Sequence, residues 1–186
     1  MNTATNSLMK TRMMTMTAVF AVLIAICSWI SIPTAVPFTL QTFGIFLAVS
    51  VLGGKFGSLA VLVYILLGCV GVPVFAGFTG GIGVLTPNTG GYIVGFLAMA
   101  LVVWALEKPA RNRIWLQLLS MVLGLAVCYA FGTIWFMIVY AGNSGGVGLM
   151  TVLGWCVIPF IIPDLIKMGL AFSVGRNLKK ILRNLA

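Results

Sequence analysis

Six apolar runs, at about 13–32, 38–54, 57–73, 90–106, 114–141 and 149–175, divide this chain, and only the last contains a charged residue. A bilayer core takes about 20 apolar residues per helix, roughly 17 to 25 with tilt. Each run is therefore long enough for a single crossing. With 61% hydrophobic and 7% charged residues, nearly every segment long enough to be a helix is too apolar to have a wet face. The expected fold is an all-α integral membrane protein of six transmembrane helices, forming one domain over 1–186.

Lys10 and Arg12 precede the first run, as in a secretory signal. The run is too long for a signal core and no A-x-A site follows it, so it is read as the first span. Cys27, Cys69, Cys128 and Cys156 fall in four different spans without CxxC pairing, which suits small packing residues rather than a disulfide or metal framework. Lys10, Arg12, Lys55, Lys108, Arg111, Arg113, Arg176, Lys179, Lys180 and Arg183 all fall on one side of such a bundle. The joining segments 30–37, 74–89 and 142–148 carry no Lys or Arg. The positive-inside rule then places both termini in the cytoplasm. The net charge of +9 is a topology signal, not a nucleic-acid footprint. The tail "RNLKKILRNLA" is a stop-transfer anchor or an extension of span six along the anionic leaflet.

Catalytic chemistry has little to draw on. There is no histidine, and the two acids are Glu107 and Asp164. General acid–base pairs, activated nucleophiles and His or carboxylate metal sites are not available, so neither an enzyme nor a metal or cofactor site is expected. "GGKFG" around Lys55 fails the phosphate-loop spacing, with Val49 at the first glycine position and Phe56 at the Ser/Thr position. "GGIG" from Gly80 lacks the dinucleotide fingerprint.

Three polar features remain. "PVFAGFTGGIGVLTPNTGG", residues 73–91, has six glycines, two prolines and no charge. It is either a compact plug or backbone that lines a cavity. "VPFTLQTFG", residues 36–44, offers Thr39, Gln41 and Thr42 for binding or for helix–helix hydrogen bonds. In "VIPFIIPDLIKMG", Asp164 and Lys167 share one helix face, although a charge at mid-membrane costs about 2.5 to 3.5 kcal/mol. Pro159 and Pro163 leave the carbonyls of Trp155 and Pro159 without their helical partners. The pair either fixes helix packing or reads a substrate in a cavity, and broken helices near mid-membrane favour the second.

"PFTLQTFG" at 37–44, "GCVGVPVFAGFTGGIGVL" at 68–85, "TGGYIVGF" at 89–96 and "PDLIKMGLA" at 163–171 together resemble the BioY family, the biotin-specific S components of energy-coupling-factor (ECF) vitamin transporters. The chain departs from the family pattern in having Pro87-Asn88 before Thr89-Gly90-Gly91-Tyr92. The resemblance implies high-affinity capture of biotin in an outward-side pocket, in a multi-pass protein of the bacterial plasma membrane. It implies assembly with a T component and two cytoplasmic ATPases. Asp164 and Lys167 would bind the substrate, with Gln41, Thr42, Gly80, Gly81, Asn88, Gly90, Gly91 and Tyr92 as the remaining wall.

In span one, Ala21 and Ala25, with Ala18 a turn earlier, form a small-residue stripe. It suits packing within the bundle or, by the resemblance, contact with the T component. Alternative functions are capture of another vitamin, a self-sufficient facilitator, and a structural subunit with no ligand.

Overall fold

The computed structural model describes residues 3–34, 36–111 and 113–184. Residues 185 and 186 of the basic tail and the side chain of Arg183 lie outside what is described. Helix α1 (Thr3–Trp29) leads into a short antiparallel pair, β1 (Ser31–Ile32) with β2 (Phe38–Thr39), in which Ser31 faces Thr39. Then follow α2 (Gln41–Cys69), two single 3₁₀ turns (Ala76–Phe78 and Ile82–Leu85), α3 (Gly90–Ala110), α4 (Ile114–Ser144), α5 (Leu149–Cys156) and α6 (Ile158–Asn184). Helices α1, α2, α3, α4 and α6 are long and apolar enough to cross a membrane. The protein is an all-α multi-pass membrane bundle.

Spans two and three meet more tightly than the sequence suggests, because α2 folds back on itself at Gly53. There φ is 80° and ψ is 170°, a conformation open to glycine and strained for any residue with a Cβ. A Cβ on Gly57 would lie 2.7 Å from the Cα of Val49, whereas eight residues of continuous helix cover about 12 Å. The Gln41 amide donates to the Tyr64 hydroxyl at 2.7 Å, across a sequence distance that would be roughly 35 Å in a straight helix. The arms 41–52 and 54–69 are therefore antiparallel, and α2 makes two of six passes. Lys55 lies in the first turn of the second arm rather than in a loop. Glu107 of α3 seals the bend, its Oε2 accepting the Gly54 N–H at 3.0 Å.

Small residues set how closely the helices approach. Along the α3–α4 seam, a Cβ on Gly91 would strike Trp135, one on Gly124 would strike Met99, and one on Gly132 would strike Tyr92. Without a strong hydrophobic drive between helices in lipid, such close van der Waals packing is a main source of association. The alanine stripe of α1 serves the same end. Ala21 and Ala25 are 1% and 4% exposed within this chain, so the expectation that they contact a separate subunit is corrected. They pack inside the fold, and the outward face of α1 carries Ala18, Val19, Val22 and Ile26.

The chain also breaks where the prolines require it. Val157, with φ −124° and ψ −57°, separates α5 from α6. Pro159 falls in the first turn of α6, where its missing N–H leaves no bond unmade. Arg12 of α1 donates to the Leu182 carbonyl of α6 at 2.7 Å, which brings both ends of the chain to one end of the bundle. The segments 30–34, 36–40 and 70–89 close the opposite, uncharged end.

Candidate ligand-binding site

Beneath that uncharged end lies a cavity of about 250 Å³. Its walls come from helices α2 to α6 and the connections above them: α2 supplies Gln41, Thr42 and Tyr64; α3 supplies Tyr92, Ile93 and Phe96; α4 supplies Cys128 and Tyr129. Cys156 ends α5, and α6 adds Phe160, Asp164 and Lys167. The segments over the cavity contribute Pro37, Thr39, Phe75, Thr79 and Thr89.

Asp164 is 3% exposed and Lys167 7%, and the two form an ion pair at 2.9 Å. A buried carboxylate needs its lone pairs occupied. Oδ1 accepts from the Thr42 hydroxyl at 2.9 Å as well as from Lys167, and Oδ2 accepts from the Tyr129 hydroxyl at 2.6 Å. Helices α2, α4 and α6 thus converge on one carboxylate. Lys167 reaches in the other direction, donating to the Thr39 carbonyl at 2.7 Å and lying 4.2 Å from the centre of the Phe38 ring. Phe38 stacks on Phe160 at 5.6 Å. The ammonium therefore fastens the first connection onto α6, and the two charges offset each other while both face the cavity.

Residues 73–91 are at once plug and lining. Phe75 is 1% exposed and packs edge-on against Tyr64 at 5.5 Å. The Trp29 indole donates to the Pro73 carbonyl at 3.0 Å, Ser28 donates to the Val74 carbonyl, and the Gly81 N–H reaches the Gly68 carbonyl at 2.7 Å. These bonds satisfy part of the irregular backbone of the connection and leave Phe75, Ala76, Thr79 and Val84 against the cavity.

Of the residues singled out in the sequence, Asp164, Lys167, Gln41, Thr42 and Tyr92 meet at this cavity. Gly80, Gly81, Asn88, Gly90 and Gly91 do not line it, which corrects the expected wall. The reason is packing. A Cβ on Gly80 would meet the Val72 carbonyl, one on Gly90 the Leu85 carbonyl and one on Gly91 the Trp135 side chain, so these glycines let protein approach protein. Thr89, rather than Asn88, faces the cavity. Sequence reasoning missed Tyr129 and Tyr64, whose one signal is a polar tip within an otherwise apolar span. It also missed Phe38 and Phe160, which look like any other lipid-facing aromatic.

A model of the BioY family matches residues 1–184. The biotin transporter BioY of Thermotoga maritima is 42% identical over 164 residues, covering 88% of this chain and 93% of that protein. The biotin transporter BioY2 of Lactococcus lactis is 34% identical over 171 residues, covering 91% of each. The crystal structure of the S component for biotin from an ECF-type ABC transporter superposes with a TM-score of 0.81 at 28% identity, over 97% of this chain and 95% of that one.

Proposed function

This chain belongs to the BioY family, and on that footing we propose that it is the biotin-capturing S component of an ECF-type importer in a bacterial plasma membrane. The relatives are transporters and a transporter component, not enzymes. The observation that carries the reading is the Asp164–Lys167 pair on the wall of the cavity.

Biotin presents two ureido N–H donors, a ureido carbonyl, an apolar bicyclic ring and chain, and a carboxylate. The cavity offers matching groups. Asp164 has acceptor capacity left on Oδ2, since a carboxylate oxygen takes about two hydrogen bonds and this one has, among the described residues, a single donor, Tyr129. Lys167 spends a donor on the Thr39 carbonyl, a bond that the ureido oxygen of biotin can replace in kind and its carboxylate with a stronger one between two ionised groups. Phe75, Ile93, Phe96 and Phe160 supply apolar walls for the ring and chain.

Biotin enters, on this reading, from the outer side, where the uncharged connections lie. Thr39 and Phe38, held by Lys167, sit in its path. Delivery inward requires energy that this chain cannot supply, having no phosphate loop, so a T component and two cytoplasmic ATPases complete the importer. The outward face of α1, with Ala18, Val19, Val22 and Ile26, is the surface offered to the T component.

Mass-spectrometric identification of the molecule retained by detergent-purified protein, followed by calorimetric titration, tests the assignment. Biotin is expected in both measurements. Thiamine or riboflavin in its place would change the vitamin, and absence of any binding would reject a capture role. Uptake of biotin into liposomes by this chain alone would favour a self-sufficient facilitator.

A further inference from the structure

A second cavity, of about 940 Å³, opens at the basic end of the bundle, far from the first and independent of the biotin reading. Five cations line it: Lys108 and Arg111 at the end of α3, and Arg176, Lys179 and Lys180 on α6. Among the described residues none of the five has an ion-pair partner, since the single ion pair is Lys167 with Asp164. The one acid in its wall, Glu107, has turned to the α2 bend, where it accepts the Gly54 N–H. Gln117 is likewise occupied, donating to the carbonyls of Ala110 and Arg111. The cavity therefore holds five cations against a single carboxylate, an excess of positive charge that the described residues do not offset.

Orientation in the membrane accounts for basic residues at this end, but it requires neither a concavity nor an apolar wall. Both are present. Trp104, Val103, Met121 and Phe172 line the same space, and the Arg176 guanidinium lies 5.8 Å from the Phe172 ring. An occupant that satisfies the cations must be anionic, and one that also covers Trp104 and Phe172 must carry an apolar part. A free phosphate meets only the first requirement. A phosphate headgroup with its acyl chain meets both, and basic pockets between transmembrane helices suit such headgroups.

We propose that the cavity between the α2 bend, the α3–α4 turn and the basic stretch of α6 binds an anionic phospholipid. The phosphate sits among Arg111, Arg176 and Lys179, and a chain lies along Trp104 and Phe172. Such a lipid joins the bend at Gly53 to α6 at the basic end of the molecule.

The full-length protein in detergent is titrated with phosphatidylglycerol, phosphatidylcholine or inorganic phosphate, read by native mass spectrometry and by melting temperature. Phosphatidylglycerol is expected to form a discrete adduct and raise the melting temperature, and the other two to do neither. R111Q/R176Q should weaken phosphatidylglycerol binding roughly thirtyfold, the effect of losing two cations at an anionic headgroup. K55Q, which removes an exposed charge outside the cavity, should leave it unchanged, and biotin affinity should survive in both. If R111Q/R176Q does not fold, K179Q/K180Q replaces it with the same expectation. Equal affinity in wild type and the double variant would overturn the proposal, as would equal weakening by K55Q. An equal response to inorganic phosphate would make this a free-anion site. Loss of an acidic protein partner in the double variant, without lipid binding in the wild type, would make it a protein interface.

Discussion

Asp164 accepts from three side chains on three helices, so a change there separates binding from folding. Asp164→Asn keeps the shape and removes the charge. It should weaken biotin by about 1.5 to 3 kcal/mol, the worth of a charge-assisted hydrogen bond, as read by calorimetry on protein that still elutes as a single species. Tyr129→Phe removes one donor and should cost less, about 0.5 to 1.5 kcal/mol. Lys167→Met should also weaken binding, and the methyl ester of biotin assigns the contact. An equal loss for ester and acid points to the ureido oxygen, and a loss confined to the acid points to the carboxylate. If the pair served packing alone, a double replacement by apolar residues would be tolerated, because buried pairs often barely repay their desolvation, and biotin would still bind. Unchanged affinity in a folded Asp164→Asn, Lys167→Met protein would remove the pair from the site.

The reversal of α2 depends on one backbone conformation at Gly53. A Cβ there would also come within 2.7 Å of the Glu107 carboxylate. Gly53→Ala should therefore destabilise the protein by about 1 to 3 kcal/mol, lowering its melting temperature. Gly83→Ala, in the long connection, meets nothing within 4 Å and has no positive φ, so it should be nearly silent. Equal effects would mean that the bend does not govern the hairpin. Helix α1 offers a second contrast. Ala25→Trp places a large ring in a buried seam and should disrupt the fold, since overpacking a core costs about 1 to 3 kcal/mol or more. Ala18→Trp, on the outward face, should leave biotin binding intact and block assembly with a T component in a pull-down.

At the scale of the whole molecule, basic residues gather at one end and the glycine-rich connections at the other. In a variant lacking the four native cysteines, Phe78→Cys and Gly145→Cys should be labelled by a membrane-impermeant thiol reagent in intact cells. Lys180→Cys should be labelled only after permeabilisation. Labelling of residue 180 from outside would invert the orientation and place the cavity around Asp164 at the cytoplasmic side.

Bulk solvent preference was legible in the chain from the start. Apolar runs of 17 residues and more leave a helix bundle as the available architecture, because backbone groups in lipid must be satisfied within the segment. Two charges on one face of an otherwise apolar run were legible as a partnered, buried pair, because an unpaired charge in lipid is costly. The tertiary structure alone decided which small residues touch a cavity and which touch protein. Gly90, Gly91, Ala21 and Ala25 have the composition of a binding or docking surface, yet each proves to be a place where one segment presses on another. A glycine or alanine carries no side-chain chemistry that reveals what approaches it. Tyr129 stayed hidden for a related reason. Its hydroxyl meets Asp164 across 35 positions of sequence, and no local pattern records which helices will come face to face.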